Sequence, residues 1–143
     1  MSAKILFDLE PDEDGYPPIG SETVWATHIE NNRYRLCNIP FFAREATLDD
    51  VVEVKEEGGV LVYKDIVQRS GNSLIRVIYH NETEREELCR GLRALGCVTE
   101  LNNIHRIVAV SVPPNVQLEA VQAFLQRGEE QGLWGYEEPI LMQ

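Results

Sequence analysis

Nowhere in this sequence do the roughly 18 consecutive apolar residues of a helical membrane span occur, which excludes an integral helical membrane protein. The opening, Met1-Ser2-Ala3-Lys4-Ile5-Leu6-Phe7-Asp8, meets a carboxylate before any signal-peptide core develops, so a cytoplasmic protein is expected. Cysteine is scarce. Cys37, Cys89 and Cys97 form an odd set without CxxC spacing, which excludes a disulfide framework read from sequence and fits reduced thiols used as small hydrophobes. His28, His80 and His105 are scattered, with no HxxxH or HExxH arrangement, so neither a metal nor any other cofactor is expected. No GxSxG elbow is present. Basic residues are also few. Thirteen Lys and Arg face 24 Asp and Glu, a formal charge of −11 over 143 residues, and a nucleic-acid backbone would be repelled by most of such a surface.

What is present is a normal apolar fraction, 43%, in patterned runs, enough for a real core. The carboxylates are unevenly spread. Residues 1–22 hold Asp8, Glu10, Asp12, Glu13, Asp14 and Glu22 against Lys4, a net of −5. Further clusters lie at Asp49 and Asp50, at Glu56 and Glu57, along Glu82 to Glu87, and at Glu129, Glu130, Glu137 and Glu138. The segment from Glu10 imitates the first ligands and the turn glycine of an EF-hand. Its twelfth position is Ser21, and its prolines deny it flanking helices, so calcium is rejected.

The pattern predicts an α+β fold. A strand over residues 4–9 precedes the acidic, proline-punctuated loop. Alternating strands over 23–29 and 33–37 flank Asn31-Asn32, and strands over 51–55 and 60–67 flank Gly58-Gly59, giving a small β-barrel or curled antiparallel sheet. The second half reads strand, helix, strand, strand, helix, strand, the order of a ferredoxin-like βαββαβ unit. Asn81 caps its first helix and Gly96 closes it; Asn115 starts the second, which Gly128 or Gly132 ends; the last strand covers 133–137. The expected organisation is 1–22 as acidic strand and loop, 23–71 as β-rich part and 72–143 as ferredoxin-like part of one compact unit.

Glu22 with Trp25, Tyr34 before Asn38-Ile39-Pro40-Phe41-Phe42-Ala43, Asp50-Val51-Val52, Ser70-Gly71-Asn72-Ser73 before Ile75-Arg76-Val77, and Leu95-Gly96-Cys97 together resemble the bacterial domain-of-unknown-function family 4265 over residues 20–138. That family often has His where this chain has Asn72, so the resemblance gives no proton shuttle here. It implies one compact unit and carries no activity.

Two kinds of site remain. Ser70, Gly71, Asn72 and Ser73, with Arg76 behind them, could hold an anion, although the same residues make ordinary turns. Phe41 and Phe42 either line a pocket or plug the barrel, and Cys37 with His28 is a conceivable thiol and imidazole pair. Partner-binding surfaces are assigned to Asp12, Glu13 and Asp14, to Glu84 and Glu87, and to Trp134, Tyr136, Glu137 and Glu138. The function expected is that of a non-catalytic, immunity- or antitoxin-like protein occluding a basic toxin. The alternatives are a ligand-sensing regulatory module, for which a homodimer is the expected state, and an enzyme whose site is not recognisable.

Overall fold

The computed structural model describes residues 2–143, whose contacts divide the chain into two units, residues 1–70 and 71–143. Among the described residues there are nine strands and two helices, and the strand pairing is antiparallel apart from one pair.

In the first unit, β1 (Ser2–Asp8), β2 (Ser21–Glu30), β3 (Arg33–Leu36), β4 (Val51–Glu57) and β5 (Val60–Gln68) follow one another around a curled sheet. Parallel pairing of Ile5 and Leu6 in β1 with Leu61 and Val62 in β5 closes it into a barrel. Period-two alternation turns Ile5 and Phe7, Val24 and Ala26, and Val52 and Val54 inward, with Leu36, Ala43 and Ala46 completing the core. Register shifts at His28/Glu30 and in β4 against β5 add the local twist that a small closed sheet needs. The N-terminal strand is thus an integral stave of the barrel.

In the second unit, β6 (Ser73–Tyr79), β7 (Val98–Asn102), β8 (Ile107–Val112) and β9 (Trp134–Ile140) form an antiparallel sheet in the order β7-β8-β6-β9. Helices α1 (Glu82–Ala94) and α2 (Leu118–Glu130) bury Leu88, Cys89 and Leu92, and Leu118, Val121 and Leu125, against Ile75, Val77, Val108 and Val110. Full burial of such side chains contributes about 1.5–3 kcal/mol each.

Two expected boundaries move. Helix α2 starts at Leu118, not at Asn115, because Val116 N–H bonds back to Pro113 and closes a turn first; Gln117 takes the cap position without a side-chain bond. Strand β9 continues past residue 137 to Ile140, and Pro139 is accommodated where the pairing with β6 shifts between Leu74 and Arg76.

Candidate functional site

Several of the polar residues that the sequence offers for chemistry are bound to the local fold. Glu22 accepts the backbone N–H groups of Phe41, Phe42 and Ala43 at 2.5, 3.0 and 2.8 Å, and Asn38 Oδ1 accepts Trp25 N–H at 3.3 Å. In the irregular segment around Pro40, the Glu22 carboxylate supplies acceptors that a regular strand ladder would otherwise provide. Phe42 is buried and meets Tyr16 edge-on, while Phe41 is half-buried. Asp50, 1% exposed, accepts Thr47 N–H at 2.9 Å and Ser70 N–H at 2.7 Å, and pairs with Arg69 at 3.4 Å. Its neighbour Asp49 is exposed, so the two carboxylates do not form a dyad.

The Ser70 to Ser73 loop is held in a similar way. Ser70 Oγ donates to Leu48 O, Gly71 has φ +92° against Pro114, Asn72 is buried, and Ser73 Oγ binds Gln143 and the Met142 N–H. Arg76, 2% exposed, pairs with Glu137 at 3.0 Å across β6 and β9. Cys37 and His28 do not pair: the thiol contacts Thr27 Oγ1 at 3.2 Å and the imidazole Nε2 contacts Asn31 O at 2.7 Å. Burial pushes the Cys97 thiol up to about 11 and raises that of Cys89, which disfavours the nucleophilic thiolate at both. Among the described residues no three His, Cys, Asp or Glu side chains gather as a metal-ligand set.

The acidic residues are carried by three different elements. Glu10, Asp12, Glu13 and Asp14 are exposed on the β1–β2 loop of the first unit. Asp12 organises that loop, its Oδ1 accepting the N–H groups of Asp14 at 2.9 Å and Tyr16 at 3.0 Å while Gly15 takes φ +79°. On α1, Glu87 is exposed, whereas Glu84 is half-buried and its N–H is capped by Asn81 at 3.0 Å. On β9, Trp134 is 4% exposed and donates to Leu125 O, so it is a core residue and not a surface contact. Tyr136 is half-buried, and its hydroxyl pKa is raised by burial and then by Glu138, Glu129 and Glu130. Glu138 accepts from Gln122. Strand β9 is one edge of the sheet and β7 the other, and α1 packs against both β7 and β6.

One concavity lies outside the residues that the sequence singles out as sites. Tyr79, His80, Asn81, Glu82, Arg85, Asn103 and Arg106 line a cavity of about 430 Å³ at the start of α1. Arg85 donates to Asn103 Oδ1 at 3.1 Å, Tyr79 donates to the same oxygen at 2.8 Å, and Arg106 donates to His80 O at 2.9 Å. Arg85 and Arg106 are 21 positions apart and meet because the β7–β8 hairpin returns the chain to α1. The only sequence signal was the Asn102-Asn103 turn that makes this return.

A family described as a domain of unknown function (DUF4265) matches this chain over residues 22–136. Among solved structures, one titled a novel crystal structure of a hypothetical protein from Neisseria gonorrhoeae is similar at a TM-score of 0.83 and 21% identity, covering 100% of this chain and 97% of that one. That likeness shows the fold. No curated protein matches. No helix among the described residues is long and apolar enough to cross a membrane.

Proposed function

The chain belongs to the DUF4265 family, and from that premise we propose that it is an acidic binding protein of the immunity or antitoxin type, which occludes a basic protein partner without catalysis. The observation that carries this reading is the β1–β2 loop. Among the described residues Glu10, Glu13 and Asp14 have no cationic partner, and they ride on a turn that Asp12 has already ordered. Preorganised charge costs less conformational entropy on docking, and it steers a basic partner at long range. Tyr16, 37% exposed, supplies an aromatic contact beside it. The three free cysteines favour the reducing cytoplasm as the compartment. The order β7-β8-β6-β9 with two helices supports describing the second unit as ferredoxin-like.

The test is affinity capture from the native organism at low and high salt, with the wild type and with a Glu13→Lys/Asp14→Lys variant. The reading expects one basic protein, stoichiometric at low salt, released by high salt, lost with the variant, and toxic when expressed alone. Recovery of the same proteins by both forms at both salts rejects it. A ligand-sensing role is the second reading, and the cavity at α1 favours it.

A further inference from the structure

We infer that the cavity between α1 and the β7–β8 turn binds the phosphoryl group of a small molecule, through Arg85, Arg106 and Asn103. This does not rest on the partner-binding reading. In a chain with 24 carboxylates, neither Arg85 nor Arg106 has a carboxylate within ion-pair distance among the described residues. Glu82 lines the same cavity and pairs with neither. Among the described residues each guanidinium has one hydrogen bond, to a neutral oxygen, and so retains most of its five donors. Asn103 Oδ1 already collects Arg85 and the Tyr79 hydroxyl, which fixes the amide with its Nδ2 as a further donor.

The cavity is therefore rich in donors, and two of its groups are permanent cations whose forked geometry matches a tetrahedral oxyanion. Asn103 Oδ1 and His80 O on its wall are occupied, and Glu82 is the single carboxylate beside the two guanidinium groups. Arg106 holds φ +57°, a left-handed conformation costly for a side chain of this kind, and its backbone carbonyl receives Tyr79 N–H, which anchors it in the turn. A volume of about 430 Å³ accommodates more than a free phosphate ion, which points to a phosphorylated small molecule. The local pair of cations differs from the rest of the acidic surface, so a compact ligand is admitted where a long nucleic-acid backbone is repelled.

The full chain is titrated with pyrophosphate, orthophosphate and succinate, followed by calorimetry and by the amide NMR signals of Tyr79, His80, Asn103 and Arg106. Saturable pyrophosphate binding is expected, tighter than orthophosphate, with shifts confined to these residues. It weakens about tenfold or more in Arg85→Gln and in Arg106→Gln and stays within about twofold in Arg127→Gln, on the outer face of α2. Arg85→Lys, which keeps the charge and loses the fork, falls between, and its amide spectrum reports that the fold is intact. Absence of saturable shifts, equal binding of succinate, or affinity unchanged in folded Arg85→Gln overturns the assignment.

Discussion

Gly128 in α2 lies directly against the indole of Trp134 in β9, so closely that a Cβ at position 128 would overlap Cζ2 and Cε2 of the ring. The contact fixes the end of α2 on the sheet edge, and the Trp134 Nε1–H bond to Leu125 O, one turn earlier, holds the ring in place at 3.0 Å. Gly128→Ala should therefore destabilise the second unit by about 1–2 kcal/mol, since overpacking outweighs the roughly 1 kcal/mol of helix propensity that Ala gains. In a Trp134→Leu background the same substitution should become neutral or favourable. Urea midpoints of the four forms test the coupling; additive effects would show that the ring does not require the glycine.

Glu22 plays the corresponding part in the first unit, gathering three amides of the Pro40 to Ala43 segment onto one carboxylate. Glu22→Ala strands these donors, at a cost of about 3 kcal/mol in total for partly buried groups. Glu22→Gln keeps one acceptor oxygen and sets an NH₂ against an amide, so its loss should be intermediate. Hydrogen exchange is the direct readout: Phe41, Phe42 and Ala43 should lose protection in both variants while the amides of α1 keep theirs.

The strand and helix order was legible because alternation in 23–37, the Gly58-Gly59 turn and the Asn81 and Gly96 caps each act within a few residues. The Val116 turn and the β9 shift were not, because they depend on Pro113 and on register against β6. Glu22, Asn38 and Asp50 stood out by resemblance, but that each accepts from backbone amides follows only from the fold. The Arg85 and Arg106 cavity was invisible because a hairpin, not a sequence spacing, brings its residues together.

The Arg76 and Glu137 pair makes one of the sequence-assigned acidic positions part of the fold. Glu137→Lys sets a second cation beside a nearly buried guanidinium and should cost about 3–5 kcal/mol. Glu138→Lys, whose partner is the amide of Gln122, should cost under about 1 kcal/mol. Charge reversal at 138 is thus a clean probe of partner binding on β9, whereas reversal at 137 first reports unfolding. Denaturant curves of both variants check this order, and equal midpoints would contradict it.

The thiols give the last prediction. Cys37 is exposed while Cys89 and Cys97 are buried, so a maleimide should label the native chain once, at Cys37, and three times after denaturation. Burial raises the Cys97 pKa from an ordinary 9.0 to about 11, and Cys89, Tyr63 and Tyr136 shift in the same direction. For each of these groups the folded state holds its proton to higher pH than the unfolded chain does. Their contribution to stability is therefore complete below the unfolded values and is lost as pH rises through the folded ones. Stability should fall between pH 9 and 11, and Cys97→Ala should flatten that slope whatever it does to stability at neutral pH. Chemical denaturation of both proteins across that window measures the difference, and parallel slopes would remove Cys97 from the linkage.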